Sequence, residues 1–482
     1  MAITGKKRKE RGASRQRSLT RRGFLGSAAA GGALLLTHGQ ARAYAANEQL
    51  QIAVVGPGGR GAGFVAEEGW SSVRQQIGGR IAALCDVNQK KAAEAYARYP
   101  DVPKFEDYRE MIDKMAGKLD GVIVSTPDHS HAPASACALR AGLHVFCEKG
   151  LTRRLDEART LADLALKQKR STQMGNQGGY NTRVVEHVWA GTLGDIEEIH
   201  MWGGGGSNSK PPAEEQDVPD YVNWDLWLGP AAFRPYHEDW MHWAKWRDFG
   251  SGHPGMWGSH LWATPFKAMK LDTLWPINEQ APAAGPKTIK VTAECSEVPE
   301  ATFPRWRIVR WEIPERMDMK PIRLTWYAGG QEAAERRQAV FAELFKKHPE
   351  WGSAEDKRWS SWVGNLWVGT EGVMYTFGHG CHTVNMLPEA KFKDVGDPPE
   401  SLPRPLPGKF LKGWRDGMGE GPPAMGSFNT FSGPFVQWYL LANVAALFPG
   451  ETLQFDPVAC RITNHPQADA ELQPHYREGW TL

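Results

Sequence analysis

The sequence predicts an α/β protein of two domains, the first of them built on a parallel sheet. Up to about residue 170, short apolar segments of strand length alternate with helical segments, which is the pattern of βαβ units. Beyond that point Trp, Pro and Gly become dense. A chain of 482 residues also exceeds the size at which single cores stop growing. We therefore expect one domain over residues 47–170 and a second over residues 171–482.

Residues 1–43 precede these domains and have the layout of an export signal. Arg21 and Arg22 are followed by an apolar run over residues 24–36 and by the small residues Ala41 and Ala43. This segment resembles a twin-arginine signal peptide, which predicts a periplasmic or secreted protein. The alternative is a basic tail followed by a buried helix. The run is shorter than the roughly 20 residues that span a bilayer, so no membrane anchor is expected.

The charge of the chain is divided unevenly. Residues 1–43 carry ten Lys and Arg against one acid, whereas the whole chain has a formal charge of +2, so the remainder is at about −7. Such a balance argues against a nucleic-acid partner. The six cysteines are dispersed and form no C-x-x-C pair, so the sequence predicts no metal site.

The first strand leads into a glycine-rich turn. Residues 52–55 are apolar, and the turn that follows reads Gly56-x-Gly58-x-x-Gly61 before a helix. In a dinucleotide-binding turn the three glycines allow a tight bend, close approach of a pyrophosphate, and packing of the helix on the strand. The pattern alone is weak evidence, but its position after a strand supports a phosphate site.

The second strand, over residues 80–85, ends at Asp86. An acid at this position accepts hydrogen bonds from an adenosine ribose and repels a 2′-phosphate, so NAD is favoured over NADP. The alternative is that Asp86 caps the helix that follows it.

Two further strands place polar residues at one edge of the sheet. Residues 121–125 form a continuous, largely apolar strand. Ser125, Thr126 and Pro127 lie at its carboxyl end. The next strand, residues 144–147, ends at Glu148 and Lys149. Ligands of open α/β sheets bind outside the carboxyl ends of the strands, so these residues are candidates for the site.

Several motifs together resemble the Gfo/Idh/MocA family, the relatives of glucose-fructose oxidoreductase and inositol dehydrogenase, and in places its secreted branch. They are the glycine turn, STPDHSHAPA, VFCEKGLTRRLDEAR, QMGNQGGY, WDLWLGPA and the C-terminal FSGPFVQWYLLANVAALFPGETLQFDP. The resemblance implies an N-terminal Rossmann domain and a C-terminal α/β domain with a large, open, mostly antiparallel sheet. One face of that sheet would line the nicotinamide site, and the other often mediates oligomer contacts, so a dimer or tetramer is expected.

The resemblance also implies roles for particular residues. Lys149 would donate a hydrogen bond to the hydroxyl that is oxidised, and His260 would exchange its proton, although a core histidine between Trp257 and Trp262 is the alternative. The expected cofactor contacts are Gly56, Gly58, Gly59, Arg60, Gly61, Asp86, Ser125, Thr126, Pro127, His129, His131, Glu148, Lys149, Asn176 and Gln177. The expected substrate contacts are Lys149, Tyr180, Arg183 and His260.

The sequence departs from the family pattern at two positions. Gly150 stands where a proline usually follows the lysine, and Met256 stands where the family has an aspartate beside the histidine. His253, Asp248 or His382 are candidates to replace that aspartate as a partner of His260.

These features predict an NAD(P)-dependent oxidoreductase that acts on a hydroxyl of a sugar, polyol or glycoside. Because free nicotinamide cofactor is scarce outside the cytoplasm, we expect a tightly bound cofactor that is recycled within the site. One alternative is an NAD-dependent glycoside hydrolase or lyase that works by transient oxidation and elimination. Another is a non-catalytic secreted relative that binds carbohydrate. The aromatic residues between positions 224 and 246 would either stack on sugars or pack in the core.

Overall fold

Two β-sheets, one parallel and one mostly antiparallel, organise the chain. The computed structural model describes residues 49–176, 179–206, 209–404 and 409–482. These described residues form one unit that holds both sheets. The predicted signal peptide over residues 1–43 lies outside the described residues, and so does Gln177.

The first sheet has six parallel strands in the order β3-β2-β1-β4-β5-β6. This order confirms the predicted Rossmann-type architecture, in which a ligand crevice opens where the connections change side at β1 and β4. The strands are β1 Gln51–Val55, β2 Arg80–Cys85, β3 Lys104–Phe105, β4 Gly121–Val124, β5 His144–Glu148 and β6 Thr172–Gly175. The helices between them are Ala62–Val65, Val73–Ile77, Gln89–Arg98, Tyr108–Met115, His131–Arg140 and Leu155–Gln168.

The central strands are apolar because helices cover both faces of the sheet. Every residue of β4 and β5 is buried, as a parallel sheet requires. The last strand, β6, pairs with β5, so the sheet continues past residue 170, where the sequence placed the end of this domain. The strand TQMG lacks an apolar run, so the sequence predicts a strand before Asn176 without assigning it to the parallel sheet.

The second sheet has nine strands in the order β13-β12-β11-β7-β10-β9-β8-β14-β15. Only β7 and β10 pair in parallel, which confirms the expected large, mostly antiparallel sheet. The strands are β7 Ile196–Trp202, β8 Ile289–Cys295, β9 Arg307–Ile313, β10 Ile322–Ala328, β11 Gly364–Gly369, β12 Val373–Phe377, β13 Thr383–Leu387, β14 Thr452–Asp456 and β15 Arg461–Ile462. The helices of this part are Thr182–Trp189, Trp224–Leu228, Ser259–Leu261, Ala263–Ala268, Gly330–Lys347, Glu389–Phe392, Phe410–Asp416, Gly433–Ala445 and Pro466–Ala470.

The helix Gly433–Ala445 joins the two sheets. It is apolar on all sides and packs against both Leu155–Gln168 and β8. Trp438 of this helix lies 5.2 Å from Trp311 between ring centroids, in the aromatic core under the second sheet. Burial on every side explains why this helix has no polar face. Among the described helices none has both the length and the apolar composition needed to cross a bilayer.

The aromatic stretch between positions 224 and 246 packs as a core of its own. Trp224, Trp227, Tyr236, Trp240 and Trp246 are buried together, and the rings of Trp224 and Trp227 stack at 4.8 Å. Of the two roles considered for these aromatics, the structure therefore shows packing.

Candidate active site

The glycine turn after β1 is fixed by close backbone approaches. Gly56 has φ +79°, and a Cβ there would lie 2.6 Å from the Ser125 carbonyl oxygen at the end of β4. A Cβ on Gly61 would overlap the Gly56 carbonyl, and one on Gly58 would lie 2.9 Å from the Lys91 Cβ. At Gly59, by contrast, no atom lies within 4 Å of a Cβ position. The turn is thus packed on its inner side and open at its tip.

Asp86 lies directly beneath this turn. Its Oδ2 accepts a hydrogen bond from the Gly58 N–H at 3.3 Å, and its Oδ1 accepts one from the Asn88 N–H at 2.9 Å. Asn88, rather than Asp86, caps the helix Gln89–Arg98, since its side chain accepts from the Lys91 N–H. Burial raises the pKa of Asp86, against the lowering effect of the two amides and of Lys91. The capping alternative is therefore not what the structure shows.

An ion pair ties the glycine turn to the end of β5. Arg60 Nε lies 2.9 Å from the Glu148 carboxylate, and its guanidinium stacks 4.4 Å from the Trp70 ring. Glu148 is buried, which raises the pKa of its carboxyl group, and the positive charge of Arg60 is the main opposing effect. Two residues expected to contact the cofactor are in this way bound to each other.

The ends of β5 and β6 bring Lys149 and Asn176 to the same edge. In the β-ladder Glu148 is opposite Gly175, so Lys149 and Asn176 are the next residues along adjacent strands. The Lys149 side chain is partly exposed, and its positive charge favours the ionised forms of Glu148 and Asp128.

His260 is bound to Asn176. Its Nδ1 lies 3.3 Å from the Asn176 carbonyl oxygen, and the Asn176 amide donates to the Ser259 carbonyl at 3.2 Å. Because a carbonyl can only accept, this contact assigns the proton of the neutral ring to Nδ1 and makes Nε2 the basic nitrogen. His260 is buried on the one-turn helix Ser259–Leu261, which follows a π-helical turn over Pro254–Gly258. The Asn176 link places it beside the strand ends that carry Lys149.

Asp128 is a residue of this region that the sequence analysis did not select. Its carboxylate is buried, and its Oδ2 accepts from the Ser251 N–H at 2.9 Å and from the Ser251 hydroxyl at 2.5 Å. Burial raises its pKa, while His131, Ser251 and Lys149 act in the opposite direction. The position of Asp128 in STPDHSHAPA, immediately after β4, is the sequence signal that could have identified it. Its hydrogen-bond partner Ser251 lies 123 residues away along the chain.

His131 holds the loops after β4 and β5 together. Its Nε2 lies 2.8 Å from the Thr126 carbonyl oxygen and its Nδ1 lies 3.0 Å from the Gly150 carbonyl oxygen. Two carbonyl acceptors require both ring nitrogens to be donors, which is the imidazolium form. Burial lowers the pKa of His131, but Cys147, Asp128 and the Gly150 carbonyl together raise it to about 10.

Gly150 has a packing reason for replacing the proline of the family pattern. A Cβ at this position would overlap the Ser251 hydroxyl and lie 3.1 Å from the Gly255 Cα. Gly255 is equally constrained, because a Cβ there would overlap the same hydroxyl. The two glycines therefore make room for the serine that binds Asp128.

Two of the three candidates to replace the missing aspartate beside His260 interact with other residues. Asp248 forms an ion pair with Arg234 at 2.5 Å, and the His253 ring stacks on Trp326 at 5.9 Å. Burial and the charge of Arg307 lower the pKa of His253 to about 3, so it is a neutral ring. His382 is exposed.

Three predicted contacts have structural roles. His129 Nε2 lies 2.8 Å from the Trp227 carbonyl oxygen, and burial lowers its pKa to about 4, so it fastens the aromatic core of residues 224–249. Arg183 forms ion pairs with Asp397 at 3.1 Å and Glu400 at 3.2 Å, which anchor a surface segment. Tyr180 packs 5.3 Å from Phe431, and burial raises its pKa to about 12.

The crevice has the features that a dinucleotide requires. The tip of the turn at Gly59 is open to a pyrophosphate, and Asp86 lies below it. Several buried polar atoms near the strand ends have no hydrogen-bond partner within the described residues, among them Ser125 Oγ, Asn176 Oδ1 and Ser259 Oγ. Thr126 accepts from the Ser130 hydroxyl at 2.8 Å, and Pro127 begins the turn that leads to it. Buried polar groups are normally paired, so these atoms fit the hydroxyl and amide groups of NAD. The described residues contain no cluster of metal-binding side chains.

Comparison with known proteins finds similar sequences for the N-terminal part of the chain. Residues 50–176 match the family described as "Oxidoreductase family, NAD-binding Rossmann fold", GFO_IDH_MocA. A glycosyl hydrolase family 109 protein of Streptomyces coelicolor is 28% identical over 214 residues, which are 38% of this chain and 44% of the relative. An inositol 2-dehydrogenase of Rubrobacter xylanophilus is 30% identical over 160 residues, 32% of this chain and 44% of that one. The chain thus spans less than half the length of these curated relatives.

The fold of the whole chain also has a counterpart among solved structures. The WlbA dehydrogenase of Chromobacterium violaceum, solved with NADH and UDP-GlcNAcA, superposes with a TM-score of 0.52 at 13% identity. The superposition covers 85% of this chain and 97% of that one, so the likeness includes both sheets. This likeness confirms the predicted fold class, and the match of residues 50–176 to an NAD-binding family agrees with the predicted cofactor class. Residues 50–176 are therefore similar to the NAD-binding Rossmann domain of the Gfo/Idh/MocA oxidoreductases.

Proposed function

We propose that this protein is an NAD-dependent oxidoreductase acting on a hydroxyl group of a sugar, polyol or glycoside. The observation that carries the proposal is the register of β5 and β6, which places Lys149 beside Asn176, the residue bound to His260. Oxidation of an alcohol needs a cation and a base. Here the cation is at the end of β5, and the basic imidazole nitrogen belongs to a helix residue that is bound to Asn176 at the end of β6. The curated relatives named as inositol 2-dehydrogenase and levoglucosan dehydrogenase agree with this substrate class.

In this proposal Lys149 and His260 have different roles in the oxidation. The Lys149 ammonium donates a hydrogen bond to the substrate hydroxyl and stabilises the negative charge that develops on its oxygen. His260 accepts the hydroxyl proton at Nε2, while the Asn176 carbonyl holds the ring in the required tautomer. Bound NAD supplies the acceptor for the hydride. In the reverse direction His260 returns the proton to the same oxygen.

We further propose that the nucleotide stays bound between half-reactions and that the protein works outside the cytoplasm. The twin-arginine motif at Arg21 and Arg22 supports export after folding. Outside the cytoplasm a released NAD would be lost, so hydride taken from one hydroxyl must be returned to a second carbonyl or to the same substrate. A homo-oligomer formed through the second sheet is part of this proposal.

A second candidate is cleavage of a glycoside by the same site. The similarity to glycosyl hydrolase family 109 proteins favours it. Oxidation of a ring hydroxyl to a ketone acidifies the neighbouring C–H, a base removes that proton, and the glycosidic oxygen leaves with its electron pair. Water then adds to the resulting double bond, and the hydride returns to the ketone. No net oxidant is consumed.

The test uses the full chain and a panel of sugars, polyols and aryl glycosides. Turnover without added NAD, either as hydride exchange between two sugars or as aglycone release, would support the proposal and distinguish the two candidates. Lys149→Ala should abolish turnover and leave bound nucleotide unchanged, whereas Lys167→Ala, at an exposed helix position, should behave as wild type. Unchanged turnover of Lys149→Ala would remove the lysine from the mechanism. A chain that binds sugar but never nucleotide would instead be a carbohydrate-binding relative.

A further inference from the structure

A small cavity lined by arginines lies between the two sheets, apart from the nucleotide crevice. The cavity lies beside the start of helix Leu155–Gln168, the start of β9 and helix Gly433–Ala445, and its free volume is about 30 Å³. Arg153, Arg154, Arg247 and Arg307 all line it, and Glu471 is the one acid among its lining residues. Four guanidinium groups around so small a space are an unusual concentration of positive charge.

Arg307 is the most buried of the four. It is 1% exposed, and its Nη1 donates to the Asn443 side-chain oxygen at 3.0 Å. Its Nε and Nη2 are buried without a hydrogen-bond partner in the described part of the chain. The neighbouring groups that shift its pKa are Cys295 and Arg247, neither of them a carboxylate. The faces of Phe303 and Trp326 cover its guanidinium at 5.5 and 4.6 Å. Burial lowers its pKa to about 9.

The neighbouring arginines also have N–H groups without a hydrogen-bond partner within the described residues. The Nε atoms of Arg153 and Arg154 are also buried without a partner within the described residues. Arg154 Nη1 is paired with the Glu471 carboxylate at 2.6 Å, so this pair is neutral. Arg247 donates only to backbone carbonyls, those of Pro299 at 2.7 Å and Thr302 at 2.8 Å.

The nearby acids offset only part of the positive charge. Asp248 is paired with Arg234, and Glu157, which accepts the backbone N–H groups of Arg153 and Arg154 at 2.9 Å each, favours the charged form of Arg153. Among the described residues, no carboxylate acts on Arg307 in the same way. A buried guanidinium without a counter-charge loses its hydration with nothing to replace it, and buried charges in proteins are as a rule paired. The arrangement therefore calls for an anion inside the cavity.

We propose that this cavity binds one small inorganic anion of the size of chloride. The unpartnered N–H groups of Arg153, Arg154 and Arg307 are its donors. A water molecule needs about 10–15 Å³ of such space, so about 30 Å³ is enough for a monatomic anion. The start of helix Leu155–Gln168, just after Arg154, adds a favourable dipole.

The bound anion would support the neighbouring active site. Asn443, which accepts from Arg307, donates to the Ser251 carbonyl at 2.8 Å, and Ser251 in turn binds Asp128. This chain of hydrogen bonds connects the cavity to the carboxylate near Lys149. The inference concerns a site separate from the proposed reaction and does not depend on that function.

The test measures thermal unfolding of the full chain at constant ionic strength while sodium gluconate is replaced by sodium chloride. We expect Tm to rise with the logarithm of the chloride concentration above its Kd and to have increased by about 3 °C where chloride exceeds its Kd about 100-fold. Arg153→Gln should abolish the chloride response, whereas Arg323→Gln, whose side chain is exposed and pairs with Glu198, should keep it. No chloride-specific rise in the wild-type protein would overturn the proposal.

A second measurement does not depend on any variant folding. Crystals of the wild-type protein soaked in sodium bromide should show an anomalous peak within the arginine-lined cavity. A cavity that contains only water under these conditions would contradict the inference. Bromide bound only at the protein surface would contradict it as well.

Discussion

Replacing Gly150 with alanine tests whether the packing of Gly150, Ser251 and Asp128 shapes the active site. The new Cβ would overlap the Ser251 hydroxyl, and it would lie 3.2 Å from the Ser251 Cβ and 3.1 Å from the Gly255 Cα, both closer than ordinary van der Waals contact. Relief requires Ser251 to move, which breaks its hydrogen bond to the buried Asp128 carboxylate. Overpacking costs about 1–3 kcal/mol, and a hydrogen bond to a charged group contributes about 1.5–3 kcal/mol. We therefore expect a loss of about 2.5–6 kcal/mol in the free energy of unfolding.

The assay is urea denaturation of a double-mutant cycle. Ser251→Ala alone should cost about 1.5–3 kcal/mol, because it removes the same hydrogen bond. Since that substitution also removes the overlapping hydroxyl, Gly150→Ala added to it should cost about 1 kcal/mol, well below its cost in the wild type. Gly396→Ala is the matched control, since no atom lies within 4 Å of its Cβ position. A Gly150→Ala protein as stable as wild type, or strictly additive costs, would refute the packing argument.

Three further predictions concern the cofactor, the proton and the pH dependence. Asp86→Asn should reduce the preference for NAD over NADP by roughly tenfold or more in a nucleotide-binding titration, because it removes the charge that repels a 2′-phosphate, while Asp101→Asn at the surface should not. His260→Gln should lower kcat by about 10²–10⁴-fold without changing the amount of bound nucleotide. The control His242→Gln, at an exposed position, should leave kcat unchanged. A small effect of His260→Gln would mean that another group exchanges the proton. Because the pKa of His131 is raised to about 10 from about 6.5 in the unfolded chain, its stabilisation is fully present below pH 6.5 and is lost as the pH rises towards 10. Between pH 6 and pH 9 the free energy of unfolding should therefore decrease more for the wild type than for His131→Gln. Equal decreases would contradict the imidazolium assignment.

The sequence was informative where structure depends on neighbouring residues. The glycine turn, the apolar strands and Asp86 lie within one βαβ unit, so local spacing was enough to predict the parallel sheet and its crevice. The antiparallel sheet followed only from family resemblance, since its strands are separated by long Trp- and Pro-rich connections.

Contacts between distant residues could not be read from spacing. Ser251 meets Asp128 across 123 residues, and Arg183 meets Glu400 across 217. For this reason the sequence does not select Asp128 and gives no sign of the ion pairs of Arg183. His129 and His131 lie two residues apart in one motif, yet burial lowers the pKa of the first while hydrogen bonding and nearby groups raise that of the second. Their different roles depend on which distant carbonyl groups each ring meets.

The measurement that tests the central claim most directly is the absorbance of the purified full chain at 340 nm, with no nucleotide added. On addition of a sugar or polyol substrate, the account predicts a rise equivalent to about one reduced nicotinamide per chain, which reverses when a carbonyl acceptor follows. A protein that carries no nucleotide after purification and shows no change with any substrate of the panel would contradict the proposed retention and recycling of NAD.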